Sequence, residues 1–244
     1  MKTIKSLCLG AAISLGMAAS AYAAPTTYYG VDLNTGSVVP AGGNAQTARN
    51  SFLGSLSNVS NEDFSSFAVG TATPLSLSFT GSSGTLSATM SSTGGSVIVT
   101  NADPVGQFST SPSQHLDAGF GSTLNIDFSA TPIAAFGFYG TDISDSGGDL
   151  VVTLVNTNGT SFTYNVIQNN SVNNNNVLFW GFIDSGANYT SVSIRNTSSS
   201  DRFGFDDMVI GDTQQIVNRV PEPTSFALIG LGLLGLGAAR RRKA

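Results

Sequence analysis

Two residue types central to reactive chemistry are almost missing from this chain: cysteine occurs once, at Cys8, and histidine once, at His115. Cys8 lies in an N-terminal segment with the features of a leader, so the mature protein is expected to have no cysteine. That excludes a disulfide, a thiol nucleophile and a Cys-ligated metal, and leaves stability to apolar burial and backbone pairing. One histidine cannot furnish a zinc site. His115 falls in a predicted loop, where a solvated side chain is expected, and no serine sits in a G-x-S-x-G motif. No P-loop or dinucleotide fingerprint follows a strand. Lysine is scarce as well. With residues 1–23 and 240–244 set aside, four arginines (Arg49, Arg195, Arg202, Arg219) face 15 acids, a net charge of −11. So acidic a body repels phosphate backbones, which argues against nucleic acid as a partner and in favour of divalent cations.

What is present begins at the two ends. Lys2 and Lys5 form a positive start, residues 7–17 an apolar run, and Ala21-Tyr22-Ala23 an A-x-A site, the pattern of a secretory signal peptide cut after Ala23. At the other end Pro221-Glu222-Pro223 makes a stiff spacer that can join neither a helix nor a central strand. Uncharged residues 225–239 follow, with Gly230, Gly232, Gly235 and Gly237 among leucines, and then the basic stop Arg240-Arg241-Arg242-Lys243. Glycine is costly in a soluble helix but frequent in membrane helices, and terminal cations fit the positive-inside rule and snorkel to lengthen a short span. Residues 224–239 are therefore expected to be a single transmembrane helix, preceded by a linker over 213–223 and followed by a basic cytoplasmic tail over 240–244.

These three C-terminal parts, in this order, resemble the PEP-CTERM sorting signal of Gram-negative bacteria. The resemblance implies recognition and cleavage by a membrane-embedded exosortase. The chain would be held transiently at the inner membrane, then sent to the cell surface or the extracellular polymer matrix. Stretches of the body, among them Phe136-Gly-Phe-Tyr-Gly-Thr-Asp142 and Phe203-Gly-Phe-Asp-Asp-Met-Val-Ile210, are similar to other PEP-CTERM passenger domains and imply a jelly-roll fold.

The body, residues 24–212, reads independently as all-β. Residues 26–31 form a first strand, and Asn44 is placed to cap a short helix carrying Ala45, Ala48, Phe52, Leu53 and Leu56 at helical spacing, ending near Gly54. From Leu75 the period becomes two, with strands predicted over 75–79, 85–90, 97–101, 123–128, 133–141, 149–156, 161–167, 177–183, 190–196 and 203–210. Turn sequences such as Asn156-Thr-Asn-Gly159 separate them, and no βαβ unit is visible. The expectation is one antiparallel β-sandwich, jelly-roll-like. An aromatic-Gly-aromatic pattern recurs at Phe136-Gly137-Phe138, Trp180-Gly181-Phe182 and Phe203-Gly204-Phe205. On a strand the two rings share a face and the glycine takes the other. The favoured reading is rings that fill the core; the other is a platform for sugar rings.

Carboxylates are the remaining source of chemistry. Asp145 and Asp149 read as turn residues, and the stretch from Asp142 lacks an EF-hand's closing Glu, since Thr153 stands there. By resemblance to jelly-roll binding modules, Glu62 or Asp63 would share a structural Ca²⁺ with Asp206 or Asp207. Three functions remain open. One is a non-catalytic surface or matrix protein that binds exopolysaccharide. The second is a secreted glycan hydrolase with an acid pair drawn from Asp142, Asp145, Asp149, Asp206 and Asp207. The third is self-assembly through a sheet edge.

Overall fold

The computed structural model describes residues 24–102, 106–168 and 175–217. The expected cleavage site at Ala21 and Ala23, Pro221-Glu222-Pro223, the apolar segment 224–239 and the basic stop Arg240 to Lys243 lie outside them. Among the described residues no helix is long and apolar enough to cross a membrane.

Two antiparallel sheets pack face to face. The seven-stranded sheet runs β1 (Thr26–Asp32), β11 (Val177–Ile183), β8 (Ala135–Thr141), β13 (Phe203–Gly211), β6 (His115–Ala118) and β5 (Val97–Thr100), with the short β2 (Asn61–Glu62) added to β13. The six-stranded sheet runs β10 (Ser161–Gln168), β9 (Asp149–Asn156), β12 (Tyr189–Asn196), β7 (Thr123–Asp127), β4 (Gly84–Thr93) and β3 (Leu75–Gly81). From β7 onward the chain passes back and forth between the sheets, with one hairpin, β9–β10, inside the six-stranded one.

The two sheets bury differently, and the sequence periods follow. In the six-stranded sheet one face meets the core and the other meets water. β9 therefore alternates buried and half-exposed residues along its length. In the seven-stranded sheet β8, β11 and β13 are buried at every position. The outer face of β8 and β11 is covered by α1 (Asn44–Gly54), whose Ala45, Ala48 and Phe52 share a buried cluster with Tyr139 and Phe179.

The recurring aromatic-Gly-aromatic pattern is what builds this double burial. Phe136, Phe138, Trp180, Phe182, Phe203 and Phe205 all point into the inter-sheet core and are at most 3% exposed. Phe138 meets Trp180 at 6.1 Å and Phe205 edge-on at 5.6 Å between ring centroids. None of these rings is open to a sugar. The glycines occupy the opposite face, where Gly137 and Gly181 are partners across β8 and β11. A Cβ on Gly137 would lie 2.7 Å from Cζ of Phe179 and 3.1 Å from Cε1 of Phe52. The glycine pair is the seat on which the helix rests.

Three local expectations are corrected. Asn44 does not cap α1: the N-cap is Gly43, and the orphan N–H groups of Asn44 and Ala45 are taken by the Asp32 carboxylate, each at 2.9 Å. His115 is not solvated; it opens strand β6, opposite Thr100, at 1% exposure. The ordered body runs past residue 212 through a 3₁₀ turn, Thr213–Gln215, to Ile216, which is buried and bridges to Leu56.

Candidate functional site

The acids expected to share calcium are placed as follows. β2 does bring residues 61–62 beside β13, with Glu62 opposite Met208 and Asn61 opposite Val209. The ladder of β13 with β8 is interrupted between Asp206 and Val209, and Asp207 takes a positive φ of 52° there. That irregularity turns the Asp206 carboxylate onto the loop before β6. Its Oδ2 accepts the N–H groups of Thr110 and Ser111, both at 2.8 Å, and the hydroxyls of Ser109 and Thr110 at 3.2 and 3.1 Å. Asp206 is fully enclosed, and that burial pushes it up to about 6 despite the Ser111 N–H. Asp207 accepts from Asn61 Nδ2 and, at 3.0 Å, from the Thr110 hydroxyl. Glu62 accepts the N–H of Phe64 at 2.7 Å; burial raises its pKa, with the Phe64 N–H acting against it. Asp63 accepts the hydroxyl and N–H of Ser65, at 2.6 and 3.0 Å, which lower its pKa. In this structure the four carboxylates serve as local acceptors that hold turns and the loop over residues 109–111.

A different set of carboxylates converges. Asp142, Asp145 and Asp201 each offer an oxygen within 4.8 Å of the others, a donor type suited to a hard divalent cation. Asp142 follows β8 with φ 56° and accepts the N–H of Asn175 at 3.2 Å. Gly106, at φ 113°, passes so close that a Cβ would lie 2.4 Å from Asp142 Oδ1. Asp201 precedes β13 and accepts the N–H of Ser146 at 3.2 Å. Its pKa is raised, first by burial and then by the neighbouring Asp145. Asp142 and Asp145 were visible in the sequence; Asp201 was not, because its partners lie more than fifty residues earlier. The only local sign of it was a polar Ser/Asp turn just before an aromatic strand.

Among the described residues the surface carries at least two open clefts. One, of about 310 Å³, sits between the edge strand β1 and α1 and is lined by Tyr28, Tyr29, Asn44, Thr47, Ala48 and Ser51. The other, of about 550 Å³, lies beside the β3–β4 turn and is lined largely by Ser60, Asn61, Ser78, Thr80 and Thr85. Tyr29 is among the few exposed large side chains, at 47%. The sequence reading passed over it, since a tyrosine in a strand gives no sign of which strand is an edge.

With this geometry in hand, comparison with known proteins bears mainly on the tail. Residues 219–243 match the PEP-CTERM protein-sorting motif. The chain therefore carries an exosortase sorting signal at its C-terminus, and that signal marks an exported protein. No curated protein matches the chain in sequence. Among solved structures it is similar to the K2 cleaved adhesin domain of Lys-gingipain, at 14% identity and TM-score 0.40, over 62% of this chain and 97% of that one. It is also similar to the CBM22-1 xylan-binding domain from Paenibacillus barcinonensis, at 15% identity and TM-score 0.35, over 64% and 100%. A family 29 carbohydrate binding module matches at 10% identity and TM-score 0.34, over 67% and 100%.

Proposed function

We propose that this chain is a non-catalytic, jelly-roll-like protein of the cell surface or extracellular matrix that binds polysaccharide there after exosortase releases it from the inner membrane. The sorting motif at residues 219–243 carries the first half of this reading. It begins two residues after Val217, whose N–H is held by the Ser55 carbonyl at 3.0 Å. The surface chemistry supports the second half. The two clefts described are lined by hydroxyls, amides and two tyrosines, groups that hydrogen-bond and stack on sugars, and not by a reactive constellation. Of the acids open to the hydrolase alternative, Asp206 is enclosed, with its carboxylate committed to the loop over residues 109–111.

The deciding experiment is the intact mass of the protein recovered from the host's surface and medium. The expected mass lacks residues 1–23 and ends near Pro221-Glu222-Pro223. A chain complete to Ala244 and confined to membranes would replace the sorting route with a simple anchor, and the matrix role would go with it.

A further inference from the structure

The sandwich has four principal sheet edges, at β1 and β5 in one sheet and at β10 and β3 in the other. An edge strand presents a row of unpaired N–H and C=O groups, which proteins commonly cover or interrupt. β5 is covered by residues 70–73: the Gly70 N–H donates to the Val99 carbonyl at 2.8 Å, and the Val99 N–H to the Thr71 carbonyl at 2.9 Å. β1 is tied to the helix by Asn44 Nδ2, which donates to the Val31 carbonyl at 3.1 Å. On β3 the Thr80 N–H goes to Ser60 Oγ at 2.7 Å, and the Thr80 carbonyl accepts from Gln215 Nε2 at 3.0 Å. Among the described residues no such bond reaches the outer edge of β10.

The register with β9 fixes which groups β10 leaves open. The Asn156 N–H donates to the Thr160 carbonyl at 3.0 Å, so these two residues form a hydrogen-bonded pair. Such pairs alternate along an antiparallel ladder. Phe162 and Tyr164 therefore also turn their main-chain groups toward β9, opposite Leu154 and Val152. Ser161, Thr163 and Asn165 turn theirs away from the sheet. The bulge between Asn165 and Ile167 ends the regular edge, so the open window runs from Ser161 to Asn165, long enough for an added strand. From Ser161 to Gln168 the strand has no proline and no charged residue, two of the usual guards of an edge.

The side chains make this window complementary to itself. Ser161, Thr163 and Asn165 are exposed on the outer face, where the Thr163 and Thr153 hydroxyls lie 3.1 Å apart. On the core side Phe162 and Tyr164 are only half-buried, their rings 6.3 Å from Tyr189 and 5.5 Å from Trp180. A second copy laid antiparallel about a two-fold axis at Thr163 sets Ser161 against the partner's Asn165 and Thr163 against the partner's Thr163. These become hydrogen-bonded pairs, each exchanging both main-chain bonds. Phe162 then faces the partner's Tyr164 at the closer, non-hydrogen-bonded position, where aromatic cross-strand pairs contribute most. The half-exposed rings at the flank of both sandwiches are covered together.

We propose that two copies of this protein associate through β10, antiparallel about a two-fold axis at Thr163, and join their six-stranded sheets into one. An isologous contact closes on itself, so it yields a dimer and not a fibre. A single strand pair belongs with the small, transient interfaces, and the association is weak and concentration-dependent. The proposal stands apart from the polysaccharide-binding reading and does not need it.

Sedimentation velocity of the exported protein, loaded from roughly 1 µM to 1 mM, tests it. Monomer at the low end and dimer at the high end are expected, with added salt favouring the dimer by screening the net charge of −11. Thr163→Pro removes an outward N–H and no bond to β9, so it should weaken the dimer about tenfold or more through the two central bonds lost. Thr163→Lys sets two cations against each other across the axis. It should weaken the dimer at unchanged melting temperature, and salt should relieve the effect. With residues 1–23 removed no cysteine remains, so an introduced one reports the register. Thr163→Cys should cross-link on oxidation, because facing Cα atoms lie about 5.5 Å apart, and Ser161→Cys should not.

A protein still monomeric at the highest concentration, or one that forms open-ended polymers, overturns the proposal. So does a dimer that Thr163→Lys leaves intact at low salt, or one that Ser161→Cys cross-links as readily as Thr163→Cys. Should Thr163→Pro fail to fold, Thr163→Lys decides. Hydrogen exchange separates the other occupant: if the N–H groups of Ser161, Thr163 and Asn165 are protected in the dilute monomer, a segment of the same chain covers the edge and the second copy is excluded.

Discussion

Ser82 donates both its N–H, at 2.8 Å, and its hydroxyl, at 2.7 Å, to Oδ2 of Asp212. Ser82 sits in the β3–β4 turn of the six-stranded sheet, and Asp212 follows the last strand of the seven-stranded one. The pair joins the two sheets at the point where the chain turns toward its sorting tail. The other oxygen of Asp212 caps the 3₁₀ turn through the N–H groups of Gln214 and Gln215, at 2.9 and 3.2 Å. Gln215 completes a capping box and donates its amide to the carbonyls of Asn58 and Thr80, at 2.7 and 3.0 Å.

Asp212→Ala removes this joint and is expected to cost about 1–2 kcal/mol, the scale of a lost cap. A lowered urea midpoint at unchanged m-value would show it. Burial alone would raise the pKa of Asp212, but the N–H and hydroxyl of Ser82 and the N–H groups of Gln214 and Gln215 hold it below the usual carboxylate range. A depressed folded pKa means the contribution is present at neutral pH and is lost as pH falls through that low value. The difference between wild type and Asp212→Ala should therefore shrink in strong acid. A difference independent of pH down to full protonation would refute the ionic character of the cap.

Gly137→Ala tests the seat of the helix. The added methyl would lie 2.7 Å from Phe179 and 3.1 Å from Phe52, both buried. Neither ring can swing away without leaving the cluster under α1, so overpacking of about 1–3 kcal/mol is expected. A thermal melt at wild-type temperature would mean that the helix does not rest on this glycine.

Asp206 predicts a pH dependence of the opposite sign to Asp212. Burial lifts it to about 6 from an ordinary 3.8. The folded state therefore holds a proton that the unfolded chain has released, so stability is greatest below about pH 4 as far as this group is concerned. It declines as pH rises to about 6 and levels off above. Glu62 and Asp201, both raised, act in the same direction. The melting temperature should rise as pH is lowered from 7.5 to 5, and the Asp206 share of that rise should vanish in Asp206→Asn. A melting temperature that falls over this interval would contradict the assignment.

Much of the fold was legible because it rests on local chemistry. The period of two in β3 and β9 is visible wherever one strand face meets water and the other meets the core. The aromatic-Gly-aromatic pattern announced shared ring faces, and those rings meet in the core as favoured. Less was legible where a residue's role depends on distant neighbours. Nothing near Asp32 indicates that its carboxylate caps a helix twelve residues later. His115 looked like a loop histidine because β6 is only four residues long and is held by β5 and β13.

By itself the sequence determined the tail signal, the cysteine-free acidic body and the antiparallel strand pattern, because charge, proline geometry and hydrophobic period act over a few residues. Only the tertiary structure decided which sheet would be buried on both faces, which acids would converge and which strand would be left as an open edge. Those outcomes depend on the packing of elements far apart in the chain. Gly137 meets Phe52 and Asp201 meets Asp142 only after two sheets and a helix have closed around them.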